Sequence, residues 1–177
     1  MTTVYLVRHG EPDYEPVNSR GWPGAAADLS HLTPLGIRQS EAAADELAEC
    51  GAGYLVSSPM TRALHTATVI GHRLALPVRV EFELREWLCD DTFRWTSFAE
   101  VLAAYDELNE CGGEWPPGES RRWEPLSAVR DRTMGALRRH AVQADGPFIA
   151  VCHAVVIRSL TGEESPPLGT VRPHRLG

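Results

Sequence analysis

Four short stretches of this 177-residue chain carry groups able to handle an anion or a proton: Arg8-His9-Gly10-Glu11, Arg62, Leu84-Arg85-Glu86 and His153. The first follows Thr3-Val4-Tyr5-Leu6-Val7, a β-rich run whose abrupt stop puts a guanidinium and an imidazole at a strand's carboxyl end, where open α/β sheets place their sites. A neutral imidazole is a nucleophile, and an arginine offers a planar fork of donors matched to phosphate oxygens. Arg62 follows Ser58-Pro59, in the first turn of a predicted helix, where free amides and the helix dipole favour an anion. His153 closes Phe148-Ile149-Ala150-Val151-Cys152, a continuous apolar run that reads as a central parallel strand. Glu86 follows a predicted strand over 78–82, with Glu83 as a second carboxylate close by.

Positioning these groups takes alternating strands and helices. Thr33-Pro34 predicts a helix start, with Ile37, Ser40, Ala44, Leu47 and Ala48 on the buried face, Arg38 and Gln39 at the surface, and Gly51 as the stop. Tyr54-Leu55-Val56-Ser57 predicts a strand, and Ser58-Pro59 the cap and first position of the next helix, which buries Met60, Ala63, Ala67, Ile70 and Leu74. Ser97 is expected to cap a helix that turns Phe98, Val101, Leu102, Tyr105 and Leu108 inward. A long amphipathic helix is predicted over 124–144, burying Leu126, Val129, Thr133 and Leu137. The loop over 11–30, with Asn18, Arg20 and Trp22, is long enough to be functional and is expected to wall a pocket beside His9. Three prolines and few large apolar residues over 163–177 predict a poorly ordered tail without a strand. That would leave a sheet edge open to a second copy of the chain, as a homodimer.

Composition bounds the function. Hydrophobic residues at 43% and charged residues at 23% are ordinary for a globular domain. A net charge of -7 without Lys/Arg runs argues against nucleic acid, so an anionic substrate must be bound by a few placed arginines. No apolar run reaches a membrane span and no leader is evident, which leads to the expectation of a cytoplasmic protein. Cys50, Cys89, Cys111 and Cys152 form no C-x-x-C pair and are expected to be reduced, structural thiols.

The motifs resemble a known family. Arg8-His9-Gly10, Leu32-Thr33-x-x-Gly36-x-x-Gln39, Ser57-Ser58-Pro59-x-x-Arg62-Ala63-x-x-Thr66-Ala67, Leu84-Arg85-Glu86 and Val151-Cys152-His153-Ala154 follow one another as do the conserved blocks of the histidine phosphatase superfamily, the phosphoglycerate mutase-like enzymes. Gly118-Glu119-Ser120 before the long helix is similar too. Two departures are Ala154, where the family has glycine, and His65, where it often has glutamine; the latter is expected at the surface or behind the site.

The resemblance implies an α/β three-layer sandwich with a mostly parallel central sheet flanked by helices, forming one domain over 1–162 with a helical lid over about 87–123. It further implies that His9 becomes a phosphohistidine, that Arg8, Arg62 and a protonated His153 bind the phosphoryl group, and that Glu86 is the proton donor. Asn18 and the backbone at Ala154 would lie alongside. Neutral His9 and charged His153 would need their pKa values split by environment. Arg94, Trp95, Arg121 and Arg122 are lid candidates for substrate contact. The scheme requires no metal or cofactor, and its substrate is a small phosphomonoester. The shortness of the chain favours a phosphatase over a mutase; a catalytically silent phosphate-binding module is the reading from a different class.

Overall fold

In the computed structural model, which describes residues 2–177, five strands form one sheet in the order β3-β2-β4-β1-β5. These are β1 (Thr2–Arg8), β2 (Leu55–Ser57), β3 (Val78–Val80), β4 (Phe148–Cys152) and β5 (Val171–Leu176). The first four run parallel, and β5 lies antiparallel against β1. Six α-helices connect them: α1 (Glu15–Asn18), α2 (Pro34–Leu47), α3 (Thr61–Leu74), α4 (Phe98–Glu110), α5 (Leu126–Ala144) and α6 (Ala154–Thr161).

Strand alternation produces the layers. Phe148, Ala150 and Cys152 of β4 pack with Val129 and Leu137 of α5 and Val156 and Ile157 of α6. Ile149 and Val151 point the other way, onto Ala43, Ala44 and Leu47 of α2 and Ala63, Ala67 and Ile70 of α3. Every residue of β4 is buried, as expected of a strand covered on both faces. The fold is therefore an α/β sandwich of helices, sheet and helices.

Two signals at the first helices resolved differently. Thr33 caps α2 as its type predicts, its side chain accepting from the Gly36 amide. Ser58 does not cap α3: the helix begins at Thr61, Met60 occupies the cap position without a side-chain bond, and the Ser58 hydroxyl is drawn to His153.

Two expectations are corrected. The tail over 163–177 is not strandless: Val171–Leu176 pairs with β1 from Thr2 to Val7, burying Val171 and Leu176 at its two ends. With only its end residues buried, β5 shows no continuous apolar run to announce it. The β1 edge is thus closed, and the new edge carries Pro173, which has no N–H, among Arg172, His174 and Arg175, a composition that discourages further strand pairing. In α4, Phe98 is 69% and Leu102 48% exposed, because the helix packs through Val101, Ala104, Tyr105 and Leu108 instead.

Candidate active site

Register brings the site together. Arg8 pairs with Cys152 and Ser57 with Val151, so the carboxyl ends of β1, β4 and β2 lie side by side. The residues just beyond them therefore converge: the His9 and His153 rings lie 5.1 Å apart between centroids, tilted by 60°. The Arg62 Nε donates across 3.3 Å to His9 Nε2. His9, Arg62 and His153 are all buried.

Gly10 is needed for closeness rather than for an unusual backbone angle. A Cβ there would fall 2.3 Å from the Gly36 carbonyl oxygen, and one on Gly36 would fall 2.3 Å from the Glu11 carbonyl oxygen. The turn after β1 and the start of α2 touch backbone to backbone. Side chains complete the cradle: the Gly10 amide donates to Thr66 Oγ1, the Glu11 amide to Gln39 Oε1, and the Thr33 hydroxyl to Glu11 Oε2. Gln39 is accordingly half-buried, correcting its expected surface location, whereas Arg38 is exposed.

This cradle sets the tautomer of His9. Its Nδ1 lies 2.8 Å from the Gly10 carbonyl, which can only accept, so Nδ1 carries the proton and Nε2 presents a lone pair towards Arg62. Burial, then the positive charge of Arg62, pushes the His9 pKa down to about 3. The imidazole is neutral and nucleophilic at any ordinary pH.

His153 behaves otherwise than expected. Its Nε2 is 2.7 Å from the Ser58 hydroxyl and its Nδ1 is buried with no partner. Burial, followed by the charge of Arg62 and the neighbouring His9, lowers its pKa well below the usual histidine value. Both histidines are pushed in the same direction, so the anion-free pocket does not split them; a phosphate dianion beside Nδ1 would favour the charged form.

Arg8 extends towards the C-terminal segment, donating through Nη1 to the Pro166 carbonyl, and its buried Nε has no partner. Buried polar atoms are rarely left unpaired. Four such side-chain atoms occur among the described residues, and two of them, Arg8 Nε and His153 Nδ1, belong to this cluster, where oxygens of a bound anion would satisfy them. Arg62 is the most tightly held member: besides His9, it contacts Asp28 Oδ1 at 3.1 Å and Met60 Sδ at 3.2 Å. Asp28 sits on a 3-10 helix, Gly24–Leu29, within the loop after β1.

Glu86 approaches from another side. Its carboxylate accepts from the Trp87 amide at 2.8 Å, and the Val155 amide at the start of α6 and the charges of Arg62 and Arg8 favour its ionised form. Burial outweighs these and raises its pKa above the ordinary carboxylate value, which suits a proton donor. Glu83, the competitor, is engaged by Arg85 instead.

The other candidates stand apart. Asn18 is exposed at the end of α1, and among the described residues its side chain makes no hydrogen bond to the cluster. Ala154 opens α6 without a positive φ, so its methyl group is accepted with no backbone strain. His65 is half-buried, its Nδ1 accepting from the Leu32 amide at 3.2 Å behind the site. Arg121 is paired with Glu107 and Glu119, Arg122 with Asp90, and Trp95 is buried against Gly24; all three line a separate cleft of about 370 Å³. Arg94 is exposed. Sequence reasoning missed Asp28 and Ser58, neither of which has a local signal for its partner.

Comparison with known proteins matches this arrangement to one family. Residues 4–165 fit the histidine phosphatase superfamily (branch 1). The glucosyl-3-phosphoglycerate phosphatase of Mycolicibacterium vanbaalenii is 31% identical over 89% of this chain and 72% of that protein. An uncharacterised phosphatase of Bacillus subtilis, PhoE, is 29% identical over 93% of this chain and 78% of its own. Among solved structures, a mycobacterial glucosyl-3-phosphoglycerate phosphatase in complex with VO3 superimposes with a TM-score of 0.68, at 26% identity over 92% of this chain and 79% of that one. The chain belongs to the histidine phosphatase superfamily, branch 1. It is a phosphoglycerate mutase-like phosphomonoester hydrolase.

Proposed function

We propose that this hydrolase works through a phosphohistidine on His9 Nε2, with a small phosphorylated metabolite as substrate. The observation that carries the reading is the fixed tautomer of His9: Nδ1 is tied to the Gly10 carbonyl, and Nε2 is neutral and faces Arg62. The phosphoryl group enters between Arg8, Arg62 and His153, whose donors compensate the charge on its equatorial oxygens. His9 Nε2 attacks phosphorus, the bond to the leaving oxygen breaks, and protonated Glu86 gives its proton to that oxygen. Water then attacks the phosphohistidine, Glu86 takes the water's proton, the N–P bond breaks, and phosphate departs with His9 and Glu86 restored. His153, neutral beforehand, is stabilised in its charged form by the arriving dianion. Four free cysteines fit a cytoplasmic enzyme, and burial holds the Cys89 thiol up at about 11, out of nucleophilic chemistry.

Rapidly quenched enzyme turning over an aryl phosphate is expected to carry one phosphoryl group by intact mass, and His9→Ala to carry none and lose hydrolysis. Equal hydrolysis by wild type and His9→Ala would sink the mechanism. A chelator is expected to leave the rate unchanged. A panel of phosphorylated metabolites that includes sugar phosphates, phosphoglycerates and glucosyl-3-phosphoglycerate then ranks substrates by kcat/KM.

A further inference from the structure

The segment that presents Glu86 has little regular structure of its own: a three-residue 3-10 turn, Phe82–Leu84, precedes it and an irregular loop follows. Nothing in the sheet register fixes the acid's main chain. One side chain does. Arg132, from α5, donates through Nη1 to the carbonyls of Glu83 and Arg85 and through Nη2, at 3.3 Å, to the carbonyl of Glu86 itself. Its Nε and Nη2 also meet the two Glu124 carboxylate oxygens at 2.6 and 3.0 Å. All five N–H donors of the guanidinium are thus used, and the side chain is only 9% exposed.

Glu124 is in turn fastened to the residues after the acid. Its amide donates to the Leu88 carbonyl, and its own carbonyl accepts from Trp87 Nε1 at 2.6 Å. The acid's peptide is therefore gripped before and at residue 86 by the Arg132 guanidinium and after it by the backbone of Glu124, whose carboxylate holds that guanidinium; both residues lie outside the phosphate cluster. A planar fork can span three converging carbonyls and a carboxylate; a point-charge ammonium cannot.

We infer that Arg132, held by Glu124, is the positioning residue for the general acid, setting the reach of Glu86 to the leaving-group oxygen without touching substrate. Resting on the acid role of Glu86, the assignment separates two kinds of substrate. An alkyl phosphate needs the proton because an alkoxide leaves poorly; an activated aryl phosphate leaves without it. A misplaced acid harms the first and spares the second, whereas general loosening harms both.

The test compares kcat/KM for glycerol phosphate and 4-nitrophenyl phosphate in Arg132→Met, Arg132→Lys, Glu86→Gln and the Arg132→Met/Glu86→Gln double variant. Both Arg132 variants are expected to lose about 30-fold or more on the alkyl substrate and less than about threefold on the aryl one, as a smaller copy of Glu86→Gln. On the Glu86→Gln background, Arg132→Met should add almost nothing, since the acid it positions is gone. Should Arg132→Met fail to fold, Glu124→Gln, which keeps the shape but releases the guanidinium, must show the same selectivity. Equal losses on both substrates, or a full additional loss in the double variant, would overturn the assignment while leaving the acid role of Glu86 standing. A Glu86→Gln variant that slows both substrates equally would overturn both, and is recognised by the single variant alone.

Discussion

His9, Arg62 and His153 on one side and Glu86 on the other serve one site but are held by different physics. The first three stand just past the ends of paired strands or in the first turn of a helix, and their spacing follows from register and from backbone contacts such as Gly10 against Gly36. Glu86 stands in an irregular segment held by side-chain hydrogen bonds from Arg132 of α5 and by the backbone of Glu124, two residues before that helix. Rigid sheet geometry suits the half of the site that, in the proposed mechanism, matches the tetrahedral phosphoryl group common to every substrate. The half that meets the leaving group in the proposed mechanism hangs instead on a side-chain network.

The comparison can be broken or sharpened by experiment. Short of removing the nucleophile, the largest effect belongs to Glu86→Gln on alkyl phosphates, with an expected fall of about 10²–10⁴ in kcat/KM. In wild type the same parameter should decline as pH rises through the elevated Glu86 pKa, because the donor is lost, and that alkaline limb should vanish in the variant. Arg62→Ala should cost about 10²–10³ in kcat/KM, by the same factor for alkyl and aryl substrates, since the proposed mechanism sets the arginine against the phosphoryl group common to both. A strong leaving-group dependence there would erase the distinction between the two halves. Gly10→Ala tests the backbone contact: displacing the turn by a fraction of an ångström to an ångström should cost about 10²-fold in rate, and overpacking about 1–3 kcal/mol in chemical denaturation.

Acidity gives a stability counterpart. His9 binds its proton only near pH 3 when folded but near 6.5 when unfolded, so the unfolded chain takes up protons that the folded one refuses. Stability should therefore fall as pH drops from about 6.5 towards 3, and His9→Asn should flatten part of that slope in thermal melts. The smallest effect belongs to Asp28. It pairs with Arg62 at 3.1 Å while its own side chain is 38% exposed, and so competes with phosphate for the guanidinium. Asp28→Ala is expected to tighten inhibition by inorganic phosphate about fivefold or less, as befits a partly solvated ion pair.

Much of this could be read along the chain. Arg8-His9-Gly10, Arg62 and His153 announce themselves because strand ends and helix starts have local signatures, and the parallel strands carry continuous apolar runs. Thr33 and Ser97 cap helices where their types require it. The readings that changed depended on distant partners. Ser58 left its helix for His153, Gln39 turned in to the Glu11 amide, and β5 formed against β1 from a segment with three prolines upstream or within it. Among the described residues, the Glu119 of Gly118-Glu119-Ser120 pairs with neighbouring Arg121 alone, and it is Glu124 that holds Arg132.

By itself, the sequence determined the alternation of strands and helices, because apolar periodicity and cap chemistry act over a few residues, and its ordered motifs carried the family resemblance that implied the layered fold and the histidine-and-arginine cluster. Only the tertiary structure decided which nitrogen of His9 is free, that both histidines are neutral before an anion arrives, and that the acid is held by Arg132. Neutrality comes from burial, the hold on Glu86 from hydrogen bonds closed across 46 or more residues of chain, and the free nitrogen of His9 from the angle at which its ring meets the adjacent Gly10 carbonyl, none of which has a local pattern.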